Sequence, residues 1–217
     1  MPEGHSQRGS PSMKLRSLPT LFALVLAGCA SGPPPAPLFA DSSAALTPPP
    51  ADKAQIIFLD PINAIQGAFP VGLYEVNGAE RTLLAELASH TKSVQLVTPG
   101  HHVFATNFGG GTAHVMEADV AAGKRYYVLL RFIYAQGMQL RPIRPTGPSD
   151  YSVANKDFAE WVAITRFVEK TAAADEYDKK GSTAFAKSQA DGLADWNKKS
   201  PAQRAELTLN VGDAIDR

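Results

Sequence analysis

Between residues 54 and 141 the chain alternates short apolar runs with turn residues, and beyond residue 150 the apolar spacing becomes that of helices. Ala54 to Leu59 is an unbroken apolar run containing Ile56, Ile57 and Phe58. It is too short for a helix and rich in β-formers, so it predicts a buried strand ended by Asp60-Pro61. Val71 to Val76 and Arg81 to Leu87 flank Asn77-Gly78, a hairpin signal of the type I′ kind, in which both central residues take positive φ. Ser93 to Val97 follows, then Pro99-Gly100 in the pattern of a type II turn, with His102 to Asn107 as the returning strand. Gly109 to Gly111 reads as a hairpin tip. His114 to Val120 alternates, with Met116, Ala118 and Val120 on one face and Val115, Glu117 and Asp119 on the other. After the Gly123-Lys124 turn, Arg125 to Tyr134 is the strand densest in β-formers, and Gln136 to Arg141 completes the set. Short strands with turn signals every ~8–12 residues predict an antiparallel sandwich.

The tail obeys a different period. Pro142, Pro145 and Pro148 mark a connector. Phe158, Trp161, Val162, Thr165 and Val168 recur at helical spacing, widened by Ile164 and Phe167. Asp175 with Lys179, and Glu176 with Lys180, are acid-before-base pairs that support a helix running to Gly181. Phe185, Gln189, Leu193 and Trp196 predict a second amphipathic helix, weakened by Gly192. Ser200-Pro201-Ala202-Gln203 has the form of a capping box with proline in the first turn, so a third helix starts there. Leu207 to Val211 fits a last turn or a small strand. The fold class is therefore α+β: a small antiparallel β-sandwich followed by a C-terminal helical segment. The apolar stripes pack on the sandwich or on each other; the alternative is a partner-docking face anchored by Trp161 and Trp196.

The N-terminus carries an address. Lys14 and Arg16 precede the apolar stretch Leu18 to Ala27, which is about half the ~20 residues that a spanning helix needs. The order is that of a signal peptide starting at Met13, with the residues before it an upstream extension. Leu26-Ala27-Gly28-Cys29 closes the run and resembles the lipobox of bacterial lipoproteins. The resemblance implies a diacylglyceryl group on the Cys29 thiol, cleavage before Cys29 and acylation of its new amino group. Ala30, where an inner-membrane retention signal would have Asp, implies an outer-membrane anchor facing the periplasm. Several acyl chains hold firmly, at about 0.8 kcal/mol per buried CH₂. Cys29 is the chain's one cysteine, so no internal disulfide is available to it.

Residues 30 to 53 hold Pro33, Pro34, Pro35, Pro37, Pro48, Pro49 and Pro50 among small residues. They read as a tether, or as a proline-rich ligand for another protein. The expected organisation is a signal peptide over 1–28, lipidated Cys29 and tether over 29–53, a β-sandwich domain over 54–141 and a helical region over 142–217. Loss of residues 1–28 leaves 18 basic and 20 acidic residues, a net charge of about −2. No basic stripe remains, which argues against nucleic acid as a partner.

Three features of the β region carry a second resemblance: the opening apolar strand, Thr98-Pro99-Gly100-His101-His102, and Gly123-Lys124-Arg125-Tyr126-Tyr127-Val128. Over residues 53–141 the chain resembles bacterial envelope lipoproteins with a small β-sandwich related to the PEGA domain. That resemblance implies a surface-associated interaction module and offers no catalytic residue to carry over.

Candidate chemistry is sparse. Zinc needs three or four converging ligands, and His101, His102 and His114 are the side chains that neighbouring strands would bring closest. Adjacent His101 and His102 point to opposite faces of a strand, however, and cannot share one ion without a bulge. There is no His-Glu-x-x-His pattern and no Gly-x-Ser-x-Gly elbow, and Gly109 to Gly111 lacks the lysine and hydroxyl residue of a phosphate loop. Glu117 and Asp119 read as the solvated side of their strand, with a carboxylate pair as the sharper alternative. Of Tyr126 and Tyr127, one belongs to the core and the other faces outward. The expectation is a lipid-anchored, non-catalytic interaction or accessory module of the cell envelope, with a membrane contact through Cys29, an envelope protein as partner and no assigned catalytic, cofactor or metal site. The alternatives are an envelope hydrolase or metal-dependent enzyme, built on His102 or His114 with Glu117, and a surface-exposed stress lipoprotein.

Overall fold

All seven residues of the strand Ala54–Asp60 are buried, because layers of side chains cover both of its faces. The computed structural model describes residues 37–43, 45–62, 70–107, 111–147, 149–180 and 183–215. Expectations for residues 1–36, Cys29 included, for Gly109 and Gly110, and for Gly181 lie outside the described residues. So do the side chains of Lys179 and Lys180. The strands are β1 (Phe39–Asp41), β2 (Ala54–Asp60), β3 (Val71–Asn77), β4 (Glu80–Leu87), β5 (Thr91–Val97), β6 (Gly100–Asn107), β7 (His114–Val120), β8 (Arg125–Ile133), β9 (Gly137–Pro142), β10 (Arg166–Lys170) and β11 (Thr208–Leu209). The helices are α1 (Phe158–Ile164), α2 (Ala172–Lys180), α3 (Thr183–Lys198) and α4 (Pro201–Leu207).

The eight strands read from the pattern over residues 54–141 all form, and they pack as two facing sheets with helices in the C-terminal part. One sheet has the order β1-β10-β5-β2-β8-β9 and the other β11-β7-β6-β3-β4. Both are mixed rather than purely antiparallel: β2 runs parallel to β8, β10 to β5 and β11 to β7. A parallel neighbour needs a long crossover. Here the whole stretch from β3 to β7 is the crossover from β2 to β8, and apart from β5, which pairs with β2 in the first sheet, that stretch is the bulk of the second sheet.

Two turns differ from expectation. Register pairs Asn77 with Glu80, so Gly78 and Ala79 are the central residues, and of the two only Gly78 has positive φ, at 63°. That is the type II′ arrangement, which places glycine first. Pro99-Gly100 does not close a hairpin, since β5 and β6 lie in different sheets. It turns a corner between the sheets, with Gly100 at φ 127°.

The tail also contributes strands. The helical stripe expected to run through Val168 stops at Ile164; Thr165 is extended, and its hydroxyl donates to the Trp161 carbonyl at 2.7 Å. Residues 166–170 then pair with β5 and β1. Spacing alone allows helix or strand here, and the free edge of β5 decides it, because Val168 then plugs the core between the sheets. The proline-rich stretch is likewise not all tether. Residues 39–41 form the edge strand β1, Leu46 packs against the outer face of the first sheet, and the Thr47 carbonyl accepts from Gln55 at 3.3 Å and from Arg125.

The core has three parts. Between the sheets lie Ile56, Phe58, Leu73, Phe104, Met116, Tyr126, Leu130 and Leu140. Outside the second sheet, Tyr74, Ala105 and Val115 meet Ala174, Phe185 and Trp196. Outside the first sheet, Ile57, Leu59, Tyr127 and Leu129 meet Phe158, Ile143 and Ile215. Tyr126 and Tyr127 do face opposite ways, but both are buried, and Tyr127 meets Phe158 edge-on at 5.3 Å rather than lining a surface.

The capping box forms as written: Ser200 accepts from the Gln203 backbone at 3.3 Å, and the Gln203 side chain accepts from the Ser200 N–H at 2.9 Å. Gly192, which weakens α3 by propensity, is required by packing. A Cβ there would sit 2.3 Å from the Ala113 carbonyl oxygen. The contact is reinforced by Ala113 N–H donating to the Ser188 carbonyl at 3.1 Å and by Ser188 Oγ donating to Gly111. In an exposed helix Gly→Ala gains about 1 kcal/mol. At this position Gly192→Ala is expected to lose about 1–3 kcal/mol through overpacking. Thermal unfolding of the variant measures the sign, and a raised midpoint would remove the close-approach argument.

Candidate functional site

Sequence reasoning singled out two tryptophans, and the structure places both in packing roles. Trp196 is 3% exposed, and its indole N–H donates to Glu117 Oε1 at 2.8 Å. It therefore fastens α3 to β7 and is not the anchor of a free docking face. Glu117, expected on a solvated side, is half-buried beneath that helix as the acceptor. Trp161 is half-buried against the outer cluster of the first sheet. Asp119 remains exposed and faces His101 Nδ1 at 3.0 Å, so Glu117 and Asp119 serve different partners.

The histidines separate as strand alternation requires. His102 Nε2 donates to the Thr98 carbonyl at 2.8 Å, and Nδ1 meets Glu75 Oε1 at 2.6 Å. Both ring nitrogens are thus engaged, and the ring pins the corner at residues 98–100 to β3. His101 faces the other way. His114 pairs with Thr106 in the β6–β7 register, away from both. Among the described residues, no three His, Cys, Asp or Glu side chains converge as a metal ion would need.

His114 lines a cavity of about 360 Å³ with Gln136, Gly192, Asp195 and Lys199. Its Nε2–H donates to the Gln136 carbonyl at 2.7 Å, which leaves Nδ1 as the lone-pair nitrogen. Burial holds His114 below the ordinary imidazole range, with Lys199 and Arg131 adding to the effect against Gln136 and Asp195. The ring is a neutral hydrogen-bond acceptor on that wall.

A second concavity, of about 460 Å³, lies between the end of β9, the turn at Tyr151 and α4. Arg141 and Arg131 both lie over the Tyr151 ring, at 4.4 and 5.1 Å from its centroid. Arg131 also donates to the Tyr151 hydroxyl. Arg141 Nη1 meets Glu206 Oε2 at 3.0 Å, while Arg141 Nε is buried and has no acceptor among the described residues. Arg144 pairs with Asp213 and donates to the Ala205 carbonyl at 2.9 Å, tying α4 to the segment after β9. Pro142, Ala202 and Ala205 supply the apolar lining.

None of these groove residues was a candidate in the sequence, because they come from three segments that only the fold joins. The one visible signal was the capping box, which fixes where α4 begins.

No family model and no curated protein matches the chain. The groove and the His114 cavity therefore rest on their own geometry.

One buried group bears on stability rather than on either concavity. Asp60 is 1% exposed; Oδ1 accepts from the Ile62 N–H at 3.1 Å, and Oδ2 has no partner among the described residues. Burial pushes its carboxyl from 3.8 up to about 7, against the opposing Ile62 hydrogen bond. The folded state therefore holds this proton more tightly than the unfolded chain. The resulting stability is complete below pH 3.8 and is lost as pH rises through about 7. Asp60→Asn should remove this component, so parent minus variant stability falls by on the order of a few kcal/mol across that window. Urea unfolding of both proteins at several pH values checks it; parallel profiles would show that Asp60 ionises as freely in the folded state as in the unfolded.

Proposed function

We propose that this protein is a lipid-anchored component of the bacterial cell envelope whose folded domain is a non-catalytic interaction or accessory module. The observation that carries the reading is the basic-then-apolar leader ending in Leu26-Ala27-Gly28-Cys29. Acylated Cys29 then holds the chain to the outer membrane, facing the periplasm. Among the described residues no helix is long and apolar enough to cross a membrane.

The fold supports the second half of the reading. A two-sheet sandwich is compatible with a PEGA-like module, and its core is filled by side chains, so partner contacts fall to the surface concavities. Of the two histidines offered for an enzymatic alternative, His102 is tied at both ring nitrogens, to Glu75 and Thr98, and His114 is tied at Nε2 to the Gln136 carbonyl.

Mature protein from the native host should carry acyl mass on Cys29 and sediment with membranes, whereas Cys29→Ser should appear in the soluble envelope fraction. Mass spectrometry of the N-terminal peptide with fractionation measures both. An unacylated Cys29 in abundant mature protein, or a Cys29→Ser variant that stays on the membrane, would overturn the anchor.

A further inference from the structure

We infer that the groove between β9 and α4 binds the C-terminal carboxylate of a short apolar peptide. The inference goes beyond the anchor, since it concerns what the folded domain holds and is indifferent to acylation.

The decisive group is Arg141. Its side chain is 12% exposed, with the guanidinium carbon 4.4 Å from the centre of the Tyr151 ring. Nη1 is occupied by Glu206, but Nε is buried without an acceptor, and among the described residues Nη2 has no protein acceptor either. A buried charged donor left unpaired is costly, and natural interiors satisfy such groups. Nε is closed off from an incoming group, so Nη2 is the donor that can meet a ligand, and a guanidinium N–H makes a strong charge-assisted hydrogen bond to a carboxylate oxygen. The Tyr151 ring against the guanidinium limits its orientation before any ligand arrives.

The rest of the groove narrows the class. Its volume, about 460 Å³, lies within the range of small-ligand sites and suits a few small residues. Pro142, Ala202 and Ala205 give it an apolar lining without large side chains, which fits alanine-sized groups. Asp150 also lines the groove, is exposed, and has no partner on its carboxylate among the described residues, so it can accept from a peptide N–H or an amine. Arg141 and Arg144 balance Asp150 and Glu206, so the lining has no net charge. A lining with no net charge disfavours a dianion such as phosphate more than a monoanion, and Asp150 gives a monoanion with N–H donors an acceptor.

The test uses the full chain in detergent micelles and two probes, N-acetyl-trialanine with a free C-terminus and the same peptide as its C-terminal amide, followed by calorimetry or NMR. The free acid should bind saturably and the amide at least about tenfold more weakly. Arg141→Gln should lose a similar factor. Ala205→Leu should block the groove without touching Arg141, so it remains informative if Arg141→Gln unfolds. Equal binding of acid and amide, no binding of the acid at about 10 mM, unaltered binding by a folded Ala205→Leu variant, or displacement by inorganic phosphate as readily as by free peptide would each overturn the inference. None of these outcomes depends on Cys29, so failure here and failure of the anchor are separable.

Discussion

The parallel pairing of β2 with β8 is the constraint from which the rest of the architecture follows. Gln55 to Leu59 run alongside Arg125 to Leu129, and in both strands successive side chains are apolar on both faces. A strand of that kind cannot lie at a surface; it demands a layer on each side. One layer is the second sheet, formed by the crossover that parallel pairing obliges. The other is the outer cover of α1, Ile143, Ile215 and Leu46. The second sheet then has an outer face of its own, carrying Tyr74, Ala105 and Val115, which α2 and α3 close.

The tail is consequently a set of parts for the sandwich rather than an appendage. It supplies β10 between β1 and β5 in one sheet, β11 at the edge of the other and helices over the outer face of each. The same docking builds the groove. α4 is fixed at its start by the Ser200 capping box and along its length by Arg144, whose guanidinium reaches both the Ala205 carbonyl and Asp213. A concavity bounded by β9 and α4 thus follows from how the last part of the chain returns to the sheets.

Much of this was legible in the chain, and the reason is local. Period-two alternation and turn residues are encoded within a few positions, so the eight strands over residues 54–141 could be read, as could the capping box at Ser200. Pairing is not local. Nothing near Gln55 says that its parallel neighbour is Arg125 rather than a residue of the next strand, and nothing near Pro99 distinguishes a hairpin from a corner. Phe167 and Val168 satisfy helical spacing and strand alternation equally well, so only the open edge of β5 resolves them. Trp196 shows the same limit for the site: its helical position was plain, but the face it presents depends on Glu117, 79 residues earlier.

What distinguishes a binding group from a structural one in this molecule is whether its hydrogen-bonding capacity is spent. His102 has partners on both ring nitrogens, Trp196 has used its single N–H, and Arg144 is divided between a carboxylate and backbone carbonyls. Each is fully occupied in holding two elements together. Asp60 is unspent at Oδ2, but it sits on β2 with both faces of the strand covered, so the deficit appears as a raised pKa and a dependence of stability on pH. Arg141 is unspent in a different setting. It cannot shed its charge as Asp60 can, since a guanidinium stays protonated. It also borders a concavity open to incoming molecules. A permanent charge with an unfilled donor beside an open groove leaves an incoming acceptor as the remaining way to satisfy it, which is why binding is proposed at Arg141 and not at His102.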